Sequence, residues 1–143
     1  MAKNISVINF DASKEKVWAA LTKPEFVKLW QYGSQLITTW EVGSDIKFRA
    51  EWEGKVFEQW GKVLVFNPTD ILTYNLFAPR PDLEDKSENY FTMSYILTEE
   101  NDQTKLEIIQ LDDRAGAKQE PPQGEENPVL QTLKKVVAEM ENY

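Results

Sequence analysis

The sequence predicts an α+β fold: a curved seven-stranded antiparallel sheet wrapped around a long C-terminal helix, with two short helices between strands 1 and 2. Three observations carry this. Val129, Leu130, Leu133, Val136, Val137 and Met140 recur at three- and four-residue steps, drawing one apolar stripe along a helix from Asn127 to Tyr143. A helix of that length does not hold itself in water by propensity alone, so its stripe must lie on something. Nearly everything upstream reads as strand, and strands joined by short turns pair antiparallel.

Asn4 to Phe10 alternates loosely through Ile5, Val7, Ile8 and Phe10 as the first strand. Ser13 caps a short helix over Lys14 to Leu21, with Glu15 in its first turn and Val17, Trp18 and Leu21 inward. Pro24 opens a second helix whose buried side is Phe26, Val27, Leu29 and Trp30. From Ser34 the period becomes two, with Leu36, Thr38 and Trp40 on one side. Ile46, Phe48, Ala50 and Trp52 then alternate with Lys47, Arg49, Glu51 and Glu53, one face apolar and the other charged. Glu53-Gly54-Lys55 is a hairpin turn, and Val56 to Phe66 follows as a long strand. Gly61 in its middle predicts a bulge or bend that lets the sheet curl. Ile71 to Phe77 is the next strand, with Leu72, Tyr74 and Leu76 on one face. Ala78 to Ser87 is a loop, and Asn89 to Thr98 alternates Phe91, Met93, Tyr95 and Leu97 against Thr92, Ser94 and Ile96. Lys105 to Leu111 is the last strand, with Leu106 and Ile108 inward. Asp112 to Glu126 is a long proline-containing bridge to the final helix, whose N-cap is Asn127.

The 143 residues fit one domain, and 41% hydrophobic with 28% charged is ordinary for a soluble protein. A net charge of −8 argues against nucleic acid or an anionic membrane surface as partner. The chain contains no cysteine and no histidine. That excludes disulfides, Cys/His metal sites, and Ser-His-Asp or Cys-His catalysis; no metal or cofactor is implied. No apolar run approaches the roughly 20 residues of a membrane span, so a cytoplasmic location is the default expectation.

Certain local words carry a resemblance. They are Phe10-Asp11-Ala12-Ser13-Lys14-Glu15-Lys16-Val17-Trp18-Ala19-Ala20-Leu21-Thr22-Lys23-Pro24, then Trp30, then Val42-Gly43 with Phe48. Gly61-Lys62-Val63-Leu64-Val65-Phe66-Asn67-Pro68, running into Leu72, completes them. With the element order, they resemble the START-like (SRPBCC, helix-grip) superfamily, and within it the activator of heat-shock protein 90 ATPase homologue family. Gln31 follows Trp30 where many members carry a second tryptophan, and Asn127-Pro128-Val129 stands where many carry Gly-Trp. The resemblance implies a sheet gripping the last helix, with a cavity between them in many relatives. Members bind lipids, sterols, polyketides or hormones; some are cyclases or dehydratases, and some are co-chaperone domains. Fold alone does not choose among these.

The candidate cavity residues are Trp30, Trp40, Phe48, Trp52, Trp60, Tyr74, Phe91, Met93 and Tyr95, with Leu133 and Val137 opposite on the helix. Each either fills the core or walls a pocket; rigid rings suit both roles. On Val56 to Phe66, Glu58, Trp60 and Lys62 share one face and Phe57 and Val63 the other. Tyr74, Tyr95 and the indoles could fix a ligand oxygen, as could Glu58 or Gln59 if turned inward. Asp112-Asp113 with Arg114, and Glu125-Glu126, read as solvated loop charge, because neighbours on a strand face opposite ways. The first expectation is a binder of a small apolar or amphipathic ligand, monomeric or weakly dimeric, with no chemistry of its own. The second is a cyclase- or dehydratase-type enzyme, which a deep Glu, Asp or Tyr with a polar neighbour in hydrogen-bond reach would favour. The third is a module that docks on a chaperone or another protein, marked by a filled core and an exposed apolar patch.

Overall fold

The structure is a computed structural model describing residues 2–31, 33–124 and 126–141. Its elements in order are β1 (Ala2–Phe10), α1 (Lys14–Thr22), α2 (Pro24–Trp30), β2 (Gln35–Thr38), β3 (Asp45–Trp52) and β4 (Lys55–Asn67). Then come β5 (Ile71–Leu76), a 3-10 turn (Ser87–Asn89), β6 (Phe91–Glu100), β7 (Gln103–Asp112) and α3 (Pro128–Glu139). The seven strands form one antiparallel sheet in the order β1-β7-β6-β5-β4-β3-β2. Strands 2 to 7 are a simple meander, and β1 adds to its far side beside β7. The predicted α+β architecture is the observed one: a curved sheet with three helices, the last of them C-terminal.

Local chemistry sets the helices. The Ser13 hydroxyl accepts from the Lys16 amide at 3.2 Å and caps α1. Pro24 opens α2, and the Trp30 indole Nε1 donates to the Ala20 carbonyl at 2.8 Å, tying α2 to α1. Val27 and Trp30 are the buried side of α2; Leu29, predicted inward, is exposed. A seven-residue helix has just under two turns, and Val27 and Trp30, three apart, share its one buried side.

Asn127 caps α3, accepting from the amides of Val129 at 2.9 Å and Leu130 at 3.4 Å. Leu130, Leu133, Val137 and Met140 are buried, as the stripe predicts. The helix predicted to run to Tyr143 instead ends at Glu139, where Met140 turns extended as the C-cap; Asn142 and Tyr143 lie outside the described residues. Asn127→Ala is expected to lower stability by about 1 kcal/mol, measured by urea unfolding.

Two strand predictions need correction. Gly61 is not the bulge. The register between β4 and β5 slips between Val63 and Val65, so Leu64 is the extra residue. Val63 faces the core before the slip and Phe66 after it. Gly61 answers a different need: a Cβ there would overlap the backbone carbonyl of Asn75 on β5. That close approach is closed by paired backbone hydrogen bonds between Trp60 and Phe77, and by the Lys62 amide donating to Asn75 Oδ1 at 2.8 Å.

The second strand also stops earlier than predicted, at Thr38. Trp40 leaves the strand in the left-handed region at φ 62°, a conformation that disfavours bulky side chains. It is held there by its indole Nε1, which donates to the Thr22 carbonyl at 3.0 Å, and by stacking on Phe66 with centroids 5.3 Å apart.

The two long connections are anchored. In the 78–90 loop, Asp85 accepts from the Trp60 indole at 3.0 Å and from the Tyr90 hydroxyl at 2.6 Å. Both donors hold the Asp85 carboxyl below its usual pKa, the Tyr90 hydroxyl first. The 113–126 segment runs beside β1: the Val7 amide donates to Gln123 O and the Gln123 amide donates to Ile5 O, both at 2.9 Å. Asn4 Oδ1 accepts from the Glu120 amide at 2.7 Å.

Candidate functional site

The inner face of the sheet is set by alternation. Tyr74 and Leu76 on β5 and Phe91, Met93 and Tyr95 on β6 point toward the helices, as does Gln110, two residues beyond Ile108 on β7. The strand pairing Tyr74↔Met93 and Met93↔Gln110 sets three of these side by side. Above them stand Trp30 and Gln31 at the end of α2, Ser34 just after it, and Val129 in the first turn of α3. Between floor and roof lies a cavity of ≈ 400 Å³, with Gln59 of β4 on its exposed rim.

The sheet and α3 are in close contact farther along the helix, where Leu133 and Val137 are almost completely buried in the continuous core. The space is therefore at the beginning of α3, not under its middle. Of the eleven predicted cavity residues, Trp30, Tyr74, Phe91, Met93 and Tyr95 line this space. Phe48, Trp40, Leu133 and Val137 pack around it in or against the core. Phe48 and Trp40 both lean on the Tyr74 ring, at 5.7 and 6.4 Å between centroids.

Trp52 and Trp60 are corrections. Trp52 shares the face of Phe48, but the β3–β4 hairpin runs past the helices there, leaving it 70% exposed. Trp60 pairs with Lys47 and lies on the outer face, packed on Phe77 at 5.4 Å. Phe77 also packs on Tyr90, so these rings form a small apolar cluster beneath the 78–90 loop. Glu58 goes with Trp60 to the outside and pairs with Lys47 at 3.2 Å.

The polar centre of the cavity is a pair of phenols. The Tyr74 and Tyr95 hydroxyls are 3.2 Å apart and their rings stack at 6.0 Å. Burial pushes the Tyr74 hydroxyl well above its ordinary pKa, and the neighbouring Tyr95 adds to it. Burial raises Tyr95 too, with the Tyr74 hydroxyl pulling it partly back. Both phenols are therefore protonated at neutral pH, and can donate a hydrogen bond but not abstract a proton. No carboxylate or amine lies among the described lining residues. Sequence reasoning missed Gln31, Ser34, Leu76, Gln110 and Val129 as lining. Period-two extension from Ile108 finds Gln110, whereas Gln31 and Ser34 flank a turn with no periodicity to read.

Asp112, expected as solvated charge, is instead buried at the end of β7. Arg114 grips it through Nε at 2.8 Å and Nη2 at 2.7 Å, and lies over the Phe91 ring at 4.5 Å. The Arg114 side chain holds the Asp112 carboxyl below its usual range. A lowered folded-state pKa contributes stability that is complete above the unfolded value, about 3.9, and lost as the pH falls through the folded one. Wild type is thus expected to lose melting temperature below about pH 4 more steeply than Asp112→Asn, in a thermal series from pH 7 to 2. Glu125 of the other acidic pair lies outside the described residues, and Glu126 accepts from the Gly124 amide at 2.9 Å.

Among the described residues, no cluster of acidic side chains could hold a metal ion, and no helix is long and apolar enough to cross a membrane. No protein of curated function matches the sequence. Similar solved structures are numerous. A solution structure from Cytophaga hutchinsonii is 33% identical over 78% of both chains, with a TM-score of 0.65. A crystal structure from Mesorhizobium loti is 20% identical, covers 96% of this chain and 99% of its own, and has a TM-score of 0.69. An HSP90 activator from Plasmodium falciparum is 14% identical, covers 81% and 76%, and scores 0.63; at that identity it shows the fold alone. The model of the family described as activator of Hsp90 ATPase homolog 1-like protein matches residues 11–143. With its helix-grip architecture and a match spanning residues 11–143, this chain belongs to that family.

Proposed function

We propose that this chain is a one-domain cytoplasmic protein that binds a small apolar or amphipathic molecule, a lipid included, and performs no chemistry on it. The observation that carries this is the ≈ 400 Å³ of unfilled space between the sheet and the start of α3. Its rings and paired hydroxyls suit small-molecule sites, which are mostly apolar with few polar groups and span ~300–1,000 Å³. The Tyr74–Tyr95 pair meets the geometric condition set above for an enzyme, but supplies only acid or hydrogen-bond donor function. A cyclase or dehydratase also needs a base, and the described lining offers none.

The test is a panel of uncharged apolar fluorescent probes followed by melting temperature. At least one is expected to raise it with concentration, by mass action. Met93→Trp fills the cavity and is expected to abolish that rise. If no probe shifts the wild-type melting temperature, the binder reading fails.

A second reading is favoured by the hairpin tip. Trp52 is 70% and Phe57 53% exposed on one face of β3 and β4. Such a patch suits docking on a chaperone of the Hsp90 class, as the family description suggests. One neighbour, from Colwellia psychrerythraea, is described as an Aha1 dimer, so a weak homodimer through such a patch belongs to the same reading. In that case Trp52→Ala/Phe57→Ala abolishes stimulation of an Hsp90 ATPase while probe binding in the cavity is unchanged.

A further inference from the structure

The chemistry of the cavity wall narrows what it can take. Its described lining holds no Lys, Arg, Asp or Glu. Arg114 is close by, over the Phe91 ring, but its guanidinium is committed to Asp112 through two contacts. An anion entering this space gives up its water and meets no free counter-charge, an unfavourable exchange.

The wall is nevertheless not inert. Each phenol carries one hydroxyl hydrogen, and a mutual bond between Tyr74 and Tyr95 uses one of the two. The other has no acceptor among the described residues. A pair of this kind presents one spare donor at the buried end of the cavity, stiffened by the stacking of the two rings and by Phe48 and Trp40 against Tyr74, while the other polar lining side chains, Gln31, Ser34, Gln59 and Gln110, are more exposed. The rings of Trp30 and Phe91 supply further flat apolar wall.

We propose that the cavity selects a neutral ring compound bearing a carbonyl or ether oxygen, which accepts the spare hydrogen of the Tyr74–Tyr95 pair. This rests on the cavity being a ligand site at all. Fatty-acid carboxylates carry the wrong charge for it; a ketone, lactone or aryl ether suits it. Because both hydroxyls stay protonated well above neutrality, affinity is flat from about pH 5 to 9.

The test uses three probes of one size: 2-acetylnaphthalene, 2-ethylnaphthalene and 2-naphthoate. Dissociation constants at pH 7 are taken from the ligand dependence of melting temperature. The ketone is expected to bind about tenfold more tightly than the hydrocarbon, the net worth of one hydrogen bond. The naphthoate is expected to bind at least about tenfold more weakly than the ketone. In Tyr74→Phe/Tyr95→Phe both partners become apolar at nearly the same shape, a change that leaves no orphaned group. There the ketone is expected to fall to the hydrocarbon's affinity, with the hydrocarbon's own affinity unchanged. Naphthoate binding as tightly as the ketone, or no ketone preference in wild type, overturns the inference while leaving the cavity a binding site. So does a ketone preference that survives in the double variant. If none of the three binds wild type, the binding-site reading falls, and the inference with it.

Discussion

Gly61→Ala is expected to destabilise the protein by about 3 kcal/mol, near the upper end of what one inserted methyl costs in a packed interior. The atom it meets is the backbone carbonyl oxygen of Asn75, not the end of a movable side chain. Relief requires β4 and β5 to part at the middle of the sheet. That loosens the paired hydrogen bonds between Trp60 and Phe77 and the bond from the Lys62 amide to Asn75. Against a typical stability of about 5–15 kcal/mol, such a loss is a large share. Urea unfolding of the two proteins measures it; a change under about 0.5 kcal/mol contradicts the account.

Leu133→Ala is expected to cost about 4 kcal/mol. Leu133 is fully buried where α3 meets the core, and the stripe that contains it is the principal apolar face of the helix. The side chain has no flexible neighbour on its own helix to fill the space, since Leu130 and Val137 are equally buried and occupied. Because Leu133 does not line the cavity, probe affinity in the folded fraction is expected to change less than about twofold while the unfolding midpoint drops. A large fall in affinity at unchanged stability contradicts the division between packed core and open cavity.

The sequence discloses the elements because their physics is local. The stripe Leu130, Leu133, Val137 and the alternation Phe91, Met93, Tyr95 each follow from one repeat distance, and the caps Ser13 and Asn127 from one side chain and one amide. The cavity is less visible, because it depends on where the packing stops. Trp52 and Phe48 occupy equivalent positions in one alternation, yet one is 70% exposed and the other 8%. What separates them is how far the helices extend over the hairpin, a tertiary fact. Trp60 and the position of the bulge are confusable for the same reason: Gly61 advertises an exception to strand geometry without saying whether it is a bulge or a close approach. Asp112 shows the limit for charge, since its burial depends on Arg114 folding back over Phe91.

The strip of chain ending at Gln123 has a further consequence. An exposed border strand is a template on which a second molecule can add its own backbone, and growth of that kind leads to fibrils. Here Gln123 occupies the outward amide of Val7 and the carbonyl of Ile5, while Asn4 and Lys3 engage Glu120 and Gln119 through side-chain oxygens. At the opposite border β2 is only four residues long, too short to seed much pairing, and beyond it the free part of β3 carries Glu51. Both borders are thus poor starting points for polymerisation, so the protein should remain dispersed at concentrations where a bare meander of the same strands would gel.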